Sequence, residues 1–243
     1  AFLLERAKSP PQTNEVRRSA VLIAGALVAL SHFQRPIVLS ELGASGGLNL
    51  MWDHFDLKIG GTSFGPKDPA LTLSPDWDGP LPPHASIDIV ERTGIDLNPL
   101  DPNDPDDLLR LKAYLWADQA HRLASTQAAA SVLNVVVERG DAIDWLECKL
   151  ASPKAGHLHL IQNTVAWQYL PSDAQKRGIQ LLEAAGARAT PDTPLAWLSM
   201  ENDGDTTGGI GAAITLRIWP GNVTLHLGRA DFHGRWVQWN DQA

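Results

Sequence analysis

The sequence predicts an α/β domain with a mainly parallel sheet, helices on both faces and a C-terminal antiparallel hairpin. Apolar strand-like runs alternate with helical patterns along most of the 243 residues. The first predicted strand, at 37–42, runs directly into a glycine-rich loop, and the alternating runs ITLRIW and NVTLHL flank Pro220 and Gly221 near the end. Strands that alternate with helices favour a parallel sheet, and alternating runs across a short turn favour a hairpin.

Composition and charge exclude several classes of protein. The formal net charge of −8 argues against a nucleic-acid partner, which needs a basic surface. Cys148 is the only cysteine, so no internal disulfide can form, and we expect a cytoplasmic location. The apolar run 19–30 follows two arginines, as a signal-peptide core would. It is too short to span a bilayer and has the spacing of a soluble helix, so we expect no membrane association.

The first elements are predicted from caps and apolar spacing. Thr13 and Asn14 can cap a helix that ends near His32. The strand 37–42 follows, and then a short helix at about 47–55. The region 56–85 is rich in proline and aspartate and contains a hairpin around Gly60 and Gly61. We interpret it as an insertion, able to cover the strand ends, because it lacks the apolar residues for a core of its own.

The second half of the chain repeats the alternation of strands and helices. Strands are predicted at 86–90 and 93–99, and a strand, a turn and a helix start at 132–146. A helix over 105–131, with a break near Ala117, lies between them. A buried strand within 156–170 then precedes a helix at 172–187 and a strand at 194–201. We therefore predict one domain over residues 1–243.

Candidate ligand-binding groups follow the strands, because ligands bind at the carboxyl ends of a parallel sheet. These groups are residues 41–47, Asp96, Asp141 and residues 162–164. The loop 43–47 has the spacing E-x-G-x-S-x-G. Such a bare loop lets a ligand approach backbone N–H groups, and the helix behind it favours negative charge. The glycines can also serve only tight packing.

Read together, these strand ends resemble those of the class I methyltransferases that use S-adenosylmethionine. Their first motif, an acid followed by glycines and small residues, resembles Glu41, Gly43, Ser45 and Gly47. The pattern that commonly ends their second strand resembles GIDLNP, with Asp96 as the acid. The Gly-Asp-Ala that often follows their third strand is found at 140–142. The resemblance implies a Rossmann-like sheet closed by an antiparallel hairpin.

The resemblance also implies S-adenosylmethionine as the cofactor. Asp96, beside Leu97, would accept hydrogen bonds from the ribose hydroxyls, and the glycine loop would hold the methionine end. Asp141 would accept from the adenine amino group and the Ala142 N–H would donate to the ring. As alternatives, Asp96 can be a surface acid and Asp141 a plain helix cap. The implied cofactor-binding residues are Glu41, Gly43, Ala44, Ser45, Gly46, Gly47, Asp96, Leu97, Asp141 and Ala142.

Longer strings resemble an uncharacterised bacterial family that is known as a domain of unknown function. They are TNEVRRS, ELGASGGLNL and LWADQAHR. Members of that family carry an additional helical N-terminal region that is largely absent here, so we expect the chain to be a fragment. This second resemblance covers most of the chain and implies no activity.

The leading hypothesis is a methyltransferase that acts on a small molecule or another, unidentified acceptor, and the sequence leaves open whether the chain is catalytic. Gln162 and Asn163 are the candidates to contact the acceptor, or else they cap the next helix. One alternative is a non-catalytic methyltransferase-fold binding protein. Another is a serine hydrolase that uses the G-x-S-x-G at 43–47, with His226 or His233 as the base. His157 and His159 share a strand face, but no third ligand lies at suitable spacing, so we expect no metal.

Overall fold

The computed structural model describes residues 13–116, 118–204 and 209–240. These residues form two sheets and five α-helices. The helices are α1 (Ser19–His32), α2 (Pro105–Ala113), α3 (Ala120–Ser131), α4 (Ala142–Leu150) and α5 (Ser172–Arg188). The strands are β1 (Ile37–Leu42), β2 (Phe55–Ile59), β3 (Thr62–Ser63), β4 (Leu71–Leu73), β5 (Asp76–Asp78), β6 (Ile89–Asp96), β7 (Glu138–Arg139), β8 (Leu158–Thr164), β9 (Leu195–Glu201), β10 (Ala212–Trp219), β11 (Val223–Ala230) and β12 (Trp236–Trp239).

The main sheet has nine strands in the order β5-β12-β11-β10-β9-β8-β1-β6-β7. Five neighbouring pairs are parallel, and only the pairs from β9 through β12 are antiparallel. The predicted mixed α/β fold with a mostly parallel sheet is therefore confirmed. The strand β1 lies at its centre, between β6 and β8. Along the chain, β6 and β7 are added on one side of β1, and β8 and β9 are then added on the other side. The carboxyl ends of β1 and β8 therefore flank the point where the strand order reverses.

Both faces of the main sheet are covered, because successive side chains of a strand point to opposite sides. Leu39 of β1 belongs to a buried cluster that includes α1, whose residues 19–30 are all buried. Leu42 of the same strand belongs to a second cluster, which includes Leu146 of α4 and Leu182 of α5. In the part of the chain that the structure describes, none of the helices combines the length and the apolar character needed to cross a bilayer.

The region 56–85 contributes to both sheets. The predicted hairpin around Gly60 and Gly61 is present as the antiparallel pair β2 and β3, and β4 lies parallel to β2. The strand β5 adds to the edge of the main sheet beside β12, with the rings of Trp77 and Trp239 5.2 Å apart. We expected only irregular chain there, since a three-residue strand leaves no pattern that can be recognised in the sequence.

Two predictions need correction, those for the strands within 86–99 and for the start of the first helix. The strands 86–90 and 93–99 are one strand, β6, because its pairing with β1 continues through the polar residues 91–93. The helix predicted at 105–131 with a break near Ala117 is present as two helices: α2 ends at Ala113 and α3 begins at Ala120. Ala117 itself lies outside the described residues. The first helix begins at Ser19, after a 3-10 turn over Val16–Arg18 that the Glu15 side chain caps. Thr13 and Asn14 therefore do not cap it.

The remaining elements follow the prediction with shifted ends. The short helix after the glycine loop is a 3-10 helix over Leu48–His54. The strand predicted from residue 132 is reduced to the two residues of β7, and α4 begins after Asp141, as expected. The C-terminal hairpin is β10 and β11, and the additional strand β12 was not predicted.

Candidate functional site

The loop after β1 is bound to the end of β6. The N–H groups of Gly43 and Ala44 donate to the Ile95 carbonyl at 2.9 and 3.0 Å. The next N–H group, that of Ser45, donates to Asp96 Oδ2 at 2.9 Å. Gly94 allows this approach, since a Cβ atom there would lie 2.7 Å from Ala44 Cβ. The structure therefore brings the glycine loop and Asp96 together at the carboxyl edge of the sheet.

Two non-glycine residues at this edge have unusual backbone conformations. Ser45, in the loop after β1, and Val165, directly after β8, both have φ of +53°. A positive φ is a genuine outlier for a β-branched residue such as valine, and outliers of this kind cluster at functional sites. The two loops touch, because a Cβ on Gly43 would lie 2.5 Å from Ala166 Cβ. The strained positions thus flank the point where the strand order reverses.

Asn14 completes the hydrogen bonding of the glycine loop. Its Oδ1 accepts from the N–H groups of Gly46 and Leu48, both at 3.2 Å. The Gly47 N–H donates to the Ala44 carbonyl at 2.8 Å. Every N–H group from residue 43 to residue 48 therefore has an acceptor within the protein. These are the groups that we expected to hold the methionine end of a cofactor.

Replacing Asn14 with leucine is expected to lower the free energy of unfolding by about 2 to 4 kcal/mol, because it leaves two buried N–H groups without an acceptor. Urea unfolding monitored by tryptophan fluorescence would measure this loss. Asn14→Asp is the matched control, since it keeps the accepting oxygen, and it should be clearly less destabilised. Equal losses in both variants would contradict the role assigned to the Asn14 oxygen.

Glu41, at the end of β1, is buried without full hydrogen bonding. It is 2% exposed, and its Oε2 has no partner among the described residues. Burial raises the pKa of Glu41 to about 8; Asp96 adds to the rise, while Gln162 and the Arg18 guanidinium oppose it. The buried Ser45 Oγ also lacks a partner in the described chain. Buried polar groups are nearly always hydrogen-bonded, so these two atoms indicate a place for a polar ligand.

The sequence predicted Gln162 and Asn163 just after a strand. In the structure they lie inside β8. Gln162 Oε1 accepts from Trp52 Nε1 at 3.0 Å, and its Nε2 donates to the Asn49 carbonyl at 3.3 Å. Asn163 Oδ1 accepts from Trp197 Nε1 at 2.7 Å. Both amides are fully buried. The expectation that they cap the next helix is therefore wrong, and their side chains join β8 to the elements beside it.

Glu201, at the end of β9, was not a candidate in the sequence. Its Oε1 accepts from Asn163 Nδ2 and from two backbone N–H groups, those of Ala166 and Trp167, at 2.8 to 3.0 Å. Its Oε2 accepts from the Gln168 N–H at 3.3 Å. This carboxylate holds the loop after β8 in place. Its position as an acid at a strand end was the available signal.

A buried ionic cluster lies between the N-terminal segment and α3. The Glu15 carboxylate is 3% exposed and pairs with Arg122 Nη2 at 2.7 Å and Arg17 Nε at 3.1 Å. Arg18 donates to the carbonyls of Thr164 and Phe232 at 3.2 and 2.8 Å. Burial lowers the pKa of Arg18, while Glu15 and Glu201 oppose the shift. The strings TNEVRRS and LWADQAHR, far apart in sequence, therefore meet at this edge of the sheet.

Asp141 joins the same edge through its neighbour Gly140, whose N–H donates to the Asp96 carbonyl at 3.0 Å. The Asp141 side chain is exposed and caps α4, accepting from the N–H groups of Ile143 and Asp144 at 2.8 and 3.0 Å. Leu97 is 64% exposed beside Asp96. The ends of β1, β6 and β7 are thus linked at one place, with Asp96 in the middle.

Two further kinds of site, a metal centre and the triad of a serine hydrolase, can be compared with the described residues. No group of three or more histidine, cysteine, aspartate or glutamate side chains in this part of the chain could hold a metal ion. The rings of His157 and His159 bind the Ala155 carbonyl and Ser40 Oγ. In a catalytic triad the serine hydroxyl is hydrogen-bonded to the histidine, whereas Ser45 Oγ forms no hydrogen bond with any described residue. The geometry therefore gives the hydrolase alternative no support.

The comparisons with known proteins are consistent with the resemblance of the longer strings. No curated protein matches the chain. A protein family described as "Uncharacterized protein conserved in bacteria (DUF2332)" matches residues 1–239. The match covers nearly the whole chain, including TNEVRRS, the glycine loop and LWADQAHR. The chain therefore belongs to this bacterial family, DUF2332.

Proposed function

We propose that the chain binds S-adenosylmethionine at the carboxyl edge of its parallel strands and transfers the methyl group to an acceptor. The observation that carries this proposal is the linkage through Asp96. Its side chain accepts from the Ser45 N–H and its carbonyl accepts from the Gly140 N–H. Three strand ends that resemble methyltransferase motifs are thereby assembled around one carboxylate.

The strand order supports a Rossmann-like methyltransferase fold. Along the chain the parallel strands are β1, β6, β7, β8 and β9, and in the sheet they lie in the order third, second, first, fourth, fifth. Doubly wound nucleotide-binding sheets have this order and bind their ligands where it reverses. The next strand, β10, is antiparallel to β9, whereas doubly wound sheets continue with a parallel strand. The resemblance therefore rests on the five parallel strands.

Asp96 is suited to the ribose of the cofactor. It is partly exposed, and it accepts from the Ser45 N–H at 2.9 Å and the Asn98 N–H at 2.8 Å. Asp141 and the Ala142 backbone, next in space, would face the adenine ring.

Glu41 and Ser45 are better placed to bind the methionine end of the cofactor than the loop N–H groups are. Those N–H groups already donate hydrogen bonds within the protein. Glu41 Oε2 and Ser45 Oγ are buried at this edge and have no hydrogen-bond partner among the described residues. An ammonium group beside Glu41 would favour the ionised carboxylate, because an opposite charge lowers the pKa of an acid. Binding would thereby supply the interaction that the buried side chain lacks.

S-adenosylmethionine supplies a methyl group that is already activated by its sulfonium. The acceptor forms the new bond to the methyl carbon as the carbon–sulfur bond breaks. The chain therefore has to orient the two partners and exclude water. The loop after β8, which Glu201 holds in place, lies where it can contact the acceptor.

Isothermal titration of the protein with S-adenosylmethionine tests the proposal. Asp96→Asn should weaken binding about tenfold to a hundredfold, as expected for the loss of hydrogen bonds to a charged group. Asp68→Asn, in the exposed part of the insertion, is the matched control and should bind like the wild type. Thermal melts of both variants would show that the fold is retained. No binding at millimolar concentration would refute the proposal.

A non-catalytic methyltransferase-fold protein is the second candidate. The saturated loop N–H groups and the helix-capping role of Asp141 favour it, because these groups already have hydrogen-bond partners without a ligand. Tight binding of S-adenosylhomocysteine together with S-adenosylmethionine favours the enzyme, since an enzyme must bind its product too. Binding of neither favours the non-catalytic protein.

A further inference from the structure

A polar cavity of about 360 Å³ lies on the face of the main sheet that α4 and α5 cover. Its floor is formed by the central strands and includes Ser40 of β1, Thr93 of β6 and His159 of β8. Its wall is formed by Lys149 of α4 and the segment that follows, including Lys154. Ser40 and Glu41 are consecutive in β1 and face opposite sides of the sheet. The cavity is therefore distinct from the candidate cofactor site.

The floor of the cavity is unusually polar for the centre of a parallel sheet. Strands that are covered on both faces normally carry apolar residues throughout. Here Ser40 Oγ lies 2.9 Å from His159 Nε2 and 3.5 Å from Thr93 Oγ1. The Ser40 side chain is completely buried. Hydroxyl and imidazole groups from three adjacent strands are thus held together below the opening, where aliphatic side chains would give a more stable core.

Two lysines lie at the rim of the cavity, Lys149 and Lys154. Lys154 pairs with Glu91 at 3.4 Å, and Lys149 pairs with Glu138 at 3.3 Å. The side chains of both pairs are partly or half exposed. Exposed pairs of this kind contribute little and can rearrange when a ligand arrives. An anion in the cavity can then take the place of a carboxylate beside a lysine.

We infer that this cavity binds a small oxyanion, a carboxylate or a phosphate, through the Thr93 hydroxyl of its floor and the lysines of its rim. The Thr93 hydroxyl, which is partly exposed, can donate to the oxygens of the ligand, and the Lys154 ammonium can approach from above. The volume lies at the lower end of the range for small-molecule sites, which suits a compact ligand. The inference does not depend on the proposed methyltransferase function.

The protonation of His159 supports this assignment. Burial lowers the pKa of His159 to about 4; Glu91 raises it slightly and Lys149 lowers it. The ring is therefore neutral at pH 7 and can hold the Ser40 hydroxyl in one orientation. An anion bound beside it would raise this pKa, because opposite charges favour the protonated ring. The ring thus reports on occupancy of the cavity.

Nuclear magnetic resonance of the full chain with labelled histidines tests the inference. Sodium phosphate and sodium acetate are titrated separately at pH 7 and constant ionic strength, and the His159 signals are assigned from their loss in His159→Gln. A saturable shift with phosphate identifies a phosphate site, and one with acetate identifies a carboxylate site. Saturation with both identifies a general oxyanion site.

Lys154→Met should weaken the saturable binding about tenfold, as expected for the loss of a charge-assisted hydrogen bond. Lys67→Met, in the exposed insertion, is the control and should leave binding unchanged. Shifts that fail to saturate, or that are the same in Lys154→Met and the wild type, would overturn the inference.

Discussion

Replacing Glu15 with leucine is expected to lower the free energy of unfolding by about 3 to 5 kcal/mol. The Glu15 carboxylate is almost completely buried and pairs with Arg122 Nη2 at 2.7 Å. Arg122 is itself 5% exposed, so the substitution leaves a buried guanidinium without its partner. The desolvation of that charge is then no longer offset. Chemical unfolding at neutral pH, followed by circular dichroism, would measure the loss.

A double-mutant cycle separates the ion pair from the packing around it. Arg122→Met alone should also be strongly destabilised, but Glu15→Leu and Arg122→Met together should lose clearly less than the sum of the two. Arg35→Met is the control, since its pair with Asp192, at 3.3 Å, is exposed and should contribute at most about 1 kcal/mol. Additive losses in the cycle would show that the two side chains do not interact.

The local features of the fold could be predicted from the sequence because they depend on neighbouring residues. A few neighbouring residues are enough to specify the apolar run of β1, the glycine loop after it and the cap at Asp141. The alternation of strands and helices then indicated which edge of the sheet would collect them. The meeting of the glycine loop with Asp96 followed from that parallel topology, and the structure places the two in hydrogen-bond contact.

The long-range partners could not be predicted, because nothing in a local pattern specifies them. Asn14 looked like a helix cap, yet its oxygen binds the loop more than thirty positions away. Glu15 and Arg122 are separated by two helices and the whole insertion. Glu201 looked like the end of a strand, and its role becomes visible only when the loop after β8 folds over it. These contacts depend on the tertiary arrangement.

The second large effect is expected at Glu41, whose buried side chain has a pKa of about 8 in the folded protein and an ordinary pKa of 4.5. The unfolded chain therefore loses its proton at a lower pH than the folded chain. Between about pH 4.5 and pH 8 the folded state binds the extra proton, so this residue makes stability fall as pH rises. Its full contribution is retained below pH 4.5, and the loss by pH 8 is on the order of 4 kcal/mol.

Glu41→Gln removes this titration while keeping the shape of the side chain. Relative to the wild type, the variant should gain stability on the order of several kcal/mol between pH 5 and pH 8. Urea unfolding of both proteins across this range isolates the effect, because all other titrating groups are shared. A constant difference for Glu41→Gln would mean that Glu41 ionises normally. Glu41 Oε2 would then already have a partner. The proposal that a ligand binds at this edge would lose its electrostatic support.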